Sequence, residues 1–263
     1  MTLDIQQFEN FLKIDAKTFN QADLNSLNHY IKRFMYTVPF ENINVQNGVP
    51  ISVNVDDLFN KIVHQHRGGF CYEMNTLFQN YLKEKGFQLD CVSGTVHAPD
   101  DSWSRDGSHM STIVHLDKDY IADVGFGDLP TEAIPITRPD DVHIIHDTNG
   151  YYRAITDEDD TIHLQKQMDS EHWRTSYKTQ FTPRNWPYFI EHLHYNEHDP
   201  RSIFVQNLII TIPKHYGRVS MSNEHLTVTT RHDKQKERVT HDNYKKLIKK
   251  HFGIDATIKA LES

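Results

Sequence analysis

Cys71 is one of only two cysteines in the chain, and it stands between a glycine pair and a Glu-x-Asn in the stretch HRGGFCYEMN, residues 66–75. A thiol becomes a strong nucleophile as its thiolate, which a helix N-terminus or a nearby imidazolium favours. Apolar side chains recur after Cys71 at helical spacing, at Met74, Leu77, Phe78, Tyr81 and Leu82. Gly86 is typical of a helix C-terminus, so Cys71 is expected in or just before the first turn. The same stretch also fits a tight turn followed by a small core residue.

A nucleophilic cysteine needs a histidine as base and an acceptor that orients the imidazole ring. Residues 112–116 and 120–124 predict a hairpin around a turn at 117–119, with His109 just before the first strand and Asp123 at the end of the second. The start of one antiparallel strand lies beside the end of the next, so His109 and Asp123 are expected to be neighbours, whereas His115 lies nearer the turn. The spacing predicts a Cys71–His109–Asp123 triad, although a carboxylate before Val-Gly-Phe-Gly also fits a simple turn.

Other kinds of site find weaker support. His64, His66 and Cys71 supply three side chains that can bind zinc, but no second cysteine pair accompanies them, and we predict no metal site. No Gly-x-x-x-x-Gly-Lys phosphate loop is present, and the GFG at 125–127 is not a dinucleotide fingerprint. The basic residues of 234–250 are interpreted as a solvated helix face, the sharper alternative being attraction of a phosphorylated cosubstrate.

The elements that must position these residues change in type along the chain. Helical periodicity dominates residues 24–34, 55–66 and 71–86, and short alternating strands follow at 87–96, 112–124, 141–146, 150–156 and 161–167. A helix is predicted over 186–195, strands over 204–212, 218–222 and 225–230, and a closing amphipathic helix that ends at Gly253. This order predicts three units packed as one body: helices over 1–86 with the cysteine, a β barrel or sandwich over 87–188 with the histidine and aspartate, and a mixed α/β unit over 189–263.

The composition is that of a soluble globular protein, with 37% hydrophobic and 24% charged residues. A net charge of −8, from 28 basic and 36 acidic residues, argues against a nucleic-acid partner. No apolar run is long enough to cross a membrane, and no secretory signal is visible. With two cysteines and no export signal, a reduced, cytoplasmic protein is expected, a single disulfide being the alternative.

Five segments resemble the arylamine N-acetyltransferase family, in the right order along nearly the whole chain. RGGFCYEMN is similar to the family's Arg-Gly-Gly-x-Cys-x-Glu-x-Asn signature, and VPFENINV at 38–45 is similar to its Pro-Phe-Glu-Asn segment. The segment 107–128 resembles the region that carries the family's histidine and aspartate, and DPRSIF at 199–204 and HFGI at 251–254 resemble its closing motifs. The resemblance implies an α+β fold of N-terminal helical bundle, central β barrel and C-terminal α/β lid, with a triad arranged as in cysteine proteases.

The resemblance also implies the reaction. Cys71 would take an acetyl group from acetyl-CoA, with His109 in a thiolate–imidazolium pair and Asp123 setting the ring's tautomer. The acetyl-Cys71 intermediate would then acetylate an arylamine, arylhydrazine or arylhydroxylamine in a ping-pong reaction. Acetyl-CoA is thus a cosubstrate, no cofactor stays bound, no nucleic acid or membrane is expected as a partner, and the oligomeric state is left open. The alternative is a triad amide synthase or amidase of the same fold with another acyl donor.

Further positions carry over from the family by resemblance. Glu41 and Arg67 match a buried charged pair that supports the site, for which a bidentate contact is expected. Phe126, Val96 and Gly127 match the acceptor pocket. The positions that match coenzyme A contacts are Gly107, Ser108, Tyr195 and Ser202.

Three positions depart from the family pattern. Lys13 stands where the family often has an arginine, so a rearranged charged network is expected, because lysine lacks the guanidinium fork. Phe34 replaces a common histidine. Asp128 is expected to put an acid at the mouth of the pocket and to alter the choice of acceptor.

Overall fold

The N-terminal part of the chain is helical and buries one aromatic core. The computed structural model describes residues 3–98 and 100–262. Its first helices and strand are α1 (Ile5–Leu12), α2 (Leu24–Thr37), β1 (Phe40–Glu41), α3 (Ile43–Asn47), α4 (Val55–Phe59) and α5 (Cys71–Glu84), with a π-helical turn over Asn60–His64. The aspartates that precede α1 and α2 accept backbone N–H bonds from their first turns. Phe8, Phe34, Phe78 and Tyr81 meet at ring-centroid distances between 5.0 and 6.4 Å, so Phe34 serves this core.

Helix α5 begins at the cysteine. The backbone N–H of Phe70, the residue before the helix, donates to the Glu73 carboxylate at 3.2 Å, which satisfies a group that the helix leaves unpaired. The helix ends beside Gly86, whose φ of +86° reverses the chain as predicted. Because α5 is buried along most of its length, the position of Cys71 is set by packing around it.

A closed barrel follows the helices. Its strands are β2 (Gln88–Val96), β3 (His109–His115), β4 (Asp119–Ile121), β5 (Ile134–Thr137), β7 (Gly150–Thr156), β8 (Ile162–Gln167) and β9 (Trp173–Pro183), and β6 (Ile145–Asp147) pairs with the start of β7. The order is β5-β4-β3-β2-β9-β8-β7, and a parallel pairing of β5 with β7 closes the seven strands. The sequence patterns did not predict β5 or β9, and β6 is shorter than the strand predicted over 141–146.

The predicted hairpin forms between β3 and β4, with Ile113 opposite Ile121 and His115 opposite Asp119. His109 is the first residue of β3. The expectation that Asp123 ends the second strand is wrong, because β4 stops at Ile121. Asp123 instead accepts the Gly125 N–H at 2.9 Å, which bends the chain out of the sheet.

The C-terminal part packs helices on a second sheet. Its elements are α6 (Trp186–His198), α7 (Ile203–Gln206), β10 (Ile210–Lys214), β11 (Gly217–Met221), β12 (His225–Thr230), β13 (Lys234–Arg238) and α8 (Tyr244–Phe252). The strands run in the order β1-β10-β11-β12-β13, all antiparallel. Since β1 comes from the N-terminal part of the chain, this sheet ties the two ends of the sequence together.

Two predictions for this part are wrong. The strand expected over 204–212 begins only at Ile210, because the Ser202 hydroxyl caps the short helix α7 by accepting the Phe204 N–H at 3.2 Å. The helix face expected for the basic residues of 234–250 is wrong for Lys234–Arg238, which form the exposed edge strand β13, and charged side chains are common on such edges. The lysines of 245–250 are exposed on α8, as expected.

The predicted fold class is confirmed: a helical N-terminus, a closed barrel and a C-terminal sheet with helices. The three-unit division at 86 and 188 stays a prediction, and α6 runs across its second boundary. Within 3–98 and 100–262, none of the helices combines the length and the apolar character needed to span a membrane.

Candidate active site

Cys71 is the first residue of α5 and is buried at the wall of a large cleft. The cleft has a volume of about 930 Å³ and lies between the start of α5, the barrel and the second sheet. The segment after Asp123 passes very close to the cysteine, since a Cβ on Gly125 would lie 2.9 Å from the Cys71 Cα. A glycine is therefore required at position 125, and the thiol sits where the helix N-terminus favours negative charge.

His109 and Asp123 meet beside this thiol. The Nε2 atom of His109 lies 2.6 Å from Oδ2 of Asp123, both residues are buried, and His109 lines the cleft together with Cys71. Because Asp123 engages Nε2, the other ring nitrogen, Nδ1, is left for the side of Cys71. The hairpin of β3 and β4 thus brings together the two residues that the sequence places at its open end.

Asp123 is the centre of a wider hydrogen-bond network, which we call the Asp123 cluster: Asp123, His109, Asn75, Tyr177 and Cys71. Oδ1 of Asp123 accepts from the Asn75 side-chain amide at 2.9 Å, and Oδ2 also accepts from the Tyr177 hydroxyl at 3.0 Å. Asn75 in turn donates to the Met110 carbonyl at 2.7 Å. Each carboxylate oxygen therefore has two donors, which is how a buried charge is held without a large penalty.

This network decides the charge state of the histidine. Burial by itself lowers the pKa of His109, but the charge and hydrogen bond of Asp123, followed by the interactions with Cys71, outweigh it and raise the pKa to about 10. Burial raises the pKa of Asp123, but His109 and the hydrogen bonds from Asn75 and Gly125 outweigh it, so that pKa is lowered. At neutral pH the pair is an imidazolium beside a carboxylate.

A second set of buried charges, which we call the loop cluster, surrounds the turn before α5: Glu41, Lys61, Arg67 and Glu73. Arg67 Nη2 lies 2.8 Å from Oε1 of Glu41, and Arg67 Nε donates to the same oxygen at 3.0 Å. The expectation of a bidentate contact is thus wrong, because both nitrogens of Arg67 contact the same oxygen of Glu41. The other oxygen, Oε2, accepts the Ile43 N–H at 2.7 Å.

Lys61 links the two carboxylates of the loop cluster. Its Nζ lies 2.6 Å from Glu73 Oε1 and 3.8 Å from Glu41 Oε1, and it projects from the π-helical turn. Burial raises the pKa of Glu41, but Lys61 and Arg67 outweigh it and the pKa is lowered. Burial raises the pKa of Glu73, and Lys61 offsets this effect only in part, so the pKa stays raised. Lys13 lies at the end of α1, and the rearranged network expected from it stays a prediction.

The turn itself has no room for side chains. A Cβ on Gly68 would lie 1.7 Å from the Pro39 carbonyl oxygen, and the Gly68 N–H donates to Glu41 Oε1 at 3.2 Å. The Glu41 N–H donates to the Gly69 carbonyl at 2.8 Å. The glycine pair therefore lets β1 and the turn lie backbone against backbone, one residue away from the start of α5.

The predicted acceptor-pocket residues all border the cleft. Phe126 stands edge-on to the His109 ring at a centroid distance of 5.2 Å, and Val96 and Gly127 line the same space. Asp128 also borders it, but its charge is neutralised: Lys166 Nζ lies 2.7 Å from Oδ2 and Arg218 Nε lies 3.5 Å from Oδ1. Burial raises the pKa of Asp128, and these two cations outweigh it and lower the pKa.

The predicted coenzyme A contacts are only partly together. Ser108, Tyr195 and Ser202 line the cleft, whereas Gly107 is buried behind it, where its carbonyl accepts from the Tyr72 hydroxyl at 2.8 Å. The guanidinium groups of Arg105 and Arg201 stand 4.9 and 5.8 Å from the centre of the Tyr195 ring, and both also line the cleft.

Four residues of the two clusters were not assigned a role from the sequence: Glu73, Asn75, Lys61 and Tyr177. Asn75 lies four residues after Cys71, one helical turn along, so its spacing could have placed it on the same face of α5. Lys61 projects from a π-helical turn, and Tyr177 lies on the unpredicted strand β9. No local pattern marks either of them, because both reach their partners through the tertiary fold.

The chemistry available at the site is that of a thiol and an ion pair. Cys71 and Cys91 are both free thiols. The described residues contain no cluster of three or more histidine, cysteine, aspartate or glutamate side chains that could hold a metal ion. Burial, the largest influence, raises the pKa of Cys91 to about 11, so that the second thiol stays protonated.

Comparisons with known proteins agree with this arrangement. A sequence model of the N-acetyltransferase family matches residues 23–261. An arylamine N-acetyltransferase from Escherichia coli is 29% identical over 221 residues, which are 82% of this chain and 76% of that protein. The crystal structure of an arylamine N-acetyltransferase from Bacillus cereus, described as having a unique Cys-His-Glu triad, is 28% identical and superposes with a TM-score of 0.86 over 97% of this chain and 100% of that one.

A third protein shares the fold at lower identity. The Mycobacterium marinum arylamine N-acetyltransferase, solved in complex with CoA, is 23% identical, with a TM-score of 0.87 over 98% of this chain and 97% of that one. The family match spans most of the sequence. The chain therefore belongs to the arylamine N-acetyltransferase family and is an acetyl-transferring enzyme.

Proposed function

We propose that the protein transfers an acetyl group from acetyl-CoA to an aromatic amine or hydrazine in two steps, through an acetyl-Cys71 intermediate. The observation that carries the proposal is the arrangement of the Asp123 cluster: a buried thiol at a helix N-terminus, beside a histidine that Asp123 keeps charged, on the wall of a cleft of about 930 Å³. In this proposal Cys71, His109 and Asp123 are the catalytic residues, and no bound cofactor takes part.

In the first step the Cys71 thiolate attacks the thioester carbonyl carbon of acetyl-CoA. The new carbon–sulfur bond to Cys71 forms as the bond to the coenzyme sulfur breaks. The imidazolium of His109 gives its proton to the departing thiolate and becomes a neutral ring. Asp123 holds the proton on Nε2, so that Nδ1 is the atom that exchanges protons on the side of Cys71.

In the second step the neutral ring acts as a base. The amine nitrogen attacks the acetyl carbon, the carbon–sulfur bond to Cys71 breaks, and His109 takes the proton that the nitrogen loses. Aromatic amines and hydrazines suit this step because they are uncharged at neutral pH. The product leaves as an amide or hydrazide, and the thiolate–imidazolium pair is restored.

The cleft offers separate regions for the two substrates. Ser108, Tyr195 and Ser202 supply hydroxyl groups on one side, where Arg105 and Arg201 provide positive charge for the phosphates of acetyl-CoA. Gly107 takes part only through the turn that positions Ser108. The CoA complex of the M. marinum protein supports a CoA site on this fold, and its extension to this chain is part of the proposal.

The acceptor is proposed to lie against the Phe126 ring, with Val96 and Gly127 completing the pocket. Asp128 adds little negative charge there, since Lys166 and Arg218 neutralise it. Glu41 and Arg67 are proposed as supporting residues that hold the turn before Cys71. We retain a cytoplasmic location as part of the proposal, because the reaction needs Cys71 as a free thiol.

The test is intact-mass measurement after mixing the protein with acetyl-CoA alone. We expect the mass of one acetyl group on the wild type, peptide mapping to Cys71, and loss of the label when an arylamine is added. Cys71→Ala should remain unlabelled. Cys91→Ser is the matched control and should be labelled as the wild type is, because Cys91 lies on β2 away from the Asp123 cluster.

The same measurement separates the alternative acyl donors. An enzyme that stays unlabelled with acetyl-CoA but is labelled at Cys71 by another thioester or by an activated amide would contradict the acetyl-CoA proposal and favour an amide synthase or amidase. Label on Cys91 would overturn the assignment of the nucleophile.

A further inference from the structure

A second cavity lies outside the catalytic cleft, where the ends of α1, α2, β10 and α8 meet. Its volume is about 390 Å³. Its apolar lining includes Phe11, Ile212 and Phe252. The basic side chains that line it are Lys13, Arg33, Lys214, Lys249, Lys250 and His251, and no aspartate or glutamate of the described part of the chain lines it. This is a strong local excess in a protein that has 36 acidic and 28 basic residues overall.

Two of these cations are accounted for by the protein itself. Arg33 Nε donates to the Leu12 carbonyl at 2.7 Å, at the end of α1, and Lys249 Nζ lies 3.3 Å from Asp255. Basic residues at helix C-termini also offset the partial negative charge of the last carbonyl groups. This helix-end explanation covers Arg33 and Lys249, and it applies to Lys250 in part.

Lys214 is not explained in this way. It stands at the end of strand β10, it is partly buried, and within 3–98 and 100–262 no carboxylate pairs with it. Burial lowers the pKa of Lys214, which means that the surroundings do not compensate its charge. Burial lowers the pKa of His251, and Lys250 and Lys214 lower it further while Glu237 opposes them. Lys214, Lys250 and His251 thus lie near one another on the wall of one cavity.

Uncompensated cations over an apolar floor fit an anion that carries an organic body. The cavity volume lies within the range of sites for small molecules, about 300–1,000 Å³. Ammonium groups bind phosphate oxygens strongly through charge-assisted hydrogen bonds. Lys13, which also lines the cavity, adds a further positive charge.

We propose that this cavity is a binding site for a small phosphorylated molecule with at least two negative charges, held mainly by Lys214 and Lys250 and separate from the site of acetyl transfer. The proposal does not depend on the acetyl-transfer reaction. Strand β10 connects the two regions, since Ile210 and Thr211 line the catalytic cleft and Ile212 and Lys214 line this cavity.

The test is binding of inorganic pyrophosphate to the full chain at low ionic strength. Calorimetry and thermal unfolding measure the binding. Three variants are compared with the wild type. Lys214→Gln with Lys250→Gln removes two cations from the cavity. Arg105→Gln with Arg201→Gln removes two cations from the catalytic cleft. Lys246→Gln, on α8 but outside the cavity, is the matched control.

We expect pyrophosphate to bind the wild type and to raise its unfolding temperature. The cavity variant should bind at least about tenfold more weakly, because it loses two charge-assisted contacts. Lys246→Gln and the cleft variant should retain most of the binding.

Two results would overturn the proposal. One is absence of pyrophosphate binding to the wild type at low ionic strength. The other is binding that the cleft variant loses and the cavity variant keeps. Circular dichroism of each variant establishes that it is folded before binding is compared.

Discussion

Two buried groups of charges flank the start of α5, and they differ in what a proton can do there. In the Asp123 cluster, a histidine that can gain or lose a proton lies between a carboxylate and the thiol. The loop cluster contains no histidine: two carboxylates face the basic side chains of Arg67 and Lys61, and their oxygens accept backbone N–H groups in and around the turn. We infer that the first cluster serves the reaction and that the second holds the backbone on which Cys71 stands.

The difference between the two clusters is tested most directly by a substitution at Asp123. In Asp123→Asn the amide can donate to Nε2 of His109, which puts the ring in the wrong tautomer. We expect kcat/KM for acetyl transfer to fall by about 10³–10⁴-fold. Steady-state kinetics on the folded variant measures this. Asp123→Glu should retain more activity, in keeping with the Cys-His-Glu triad of the B. cereus protein. A loss below tenfold in Asp123→Asn would contradict the role of Asp123.

The titration of His109 sharpens the same contrast. In the wild type the pKa of His109 is raised from 6.5 to about 10. Because the pKa is higher in the folded protein, the contribution of His109 to stability is complete below pH 6.5 and is lost as the pH rises toward about 10. The carboxylate of Asp123 has a lowered pKa, so its contribution is present above pH 3.8 and is lost in stronger acid.

Nuclear magnetic resonance of ring nitrogens can follow this titration. We expect the His109 ring to remain charged at pH 8 in the wild type and to be neutral at that pH in Asp123→Asn, where burial without the aspartate charge lowers the pKa. A ring that titrates near 6.5 in both proteins would show that Asp123 does not set its charge.

The loop cluster should respond in stability more than in rate. Arg67→Met leaves the buried Glu41 carboxylate with one fewer cation, and removal of one partner from a buried pair costs about 3–5 kcal/mol. Urea unfolding measures the loss. Arg138→Met is the matched control, since Arg138 is 70% exposed and lies 3.6 Å from Asp160. Such an exposed pair contributes only about 0–1 kcal/mol. Equal losses in the two variants would show that the loop cluster does not stabilise the fold.

The smallest expected effect is at Tyr177. Tyr177→Phe removes one of the two donors to Oδ2 of Asp123, and also the contact of 2.8 Å with the Ser111 hydroxyl. A hydrogen bond to a charged group contributes about 1.5–3 kcal/mol, so kcat should fall by about 10- to 150-fold. Tyr120→Phe, on β4 near the hairpin turn, is the control and should leave kcat unchanged. An unchanged kcat in Tyr177→Phe would remove Tyr177 from the network that acts on His109.

How far the site could be predicted follows from which contacts are local. The helix that begins at Cys71 and stops just before Gly86 follows from the spacing of its own apolar residues, and the hairpin that joins His109 to Asp123 spans a short, regular segment. The prediction of a strand over 204–212 was wrong at its start, because the Ser202 cap stabilises a short helix there despite the β propensity of the residues. The edge strand β13 was not predicted, because its five residues are all exposed and the sequence therefore shows no alternation of apolar and polar residues.

The sequence by itself determined the reactive residue types, the helix under Cys71, the hairpin and the family. Tertiary structure decided the charge of His109, because Asp123 meets its ring from a loop and is itself held by Asn75 from a helix and Tyr177 from a barrel strand. It also decided that Lys61 stands between Glu41 and Glu73, that Asp128 is neutralised, and that cations from four elements share one cavity. The physical reason is that charge states depend on distances and burial among residues far apart in the chain, whereas periodicity and turn chemistry report only on neighbours.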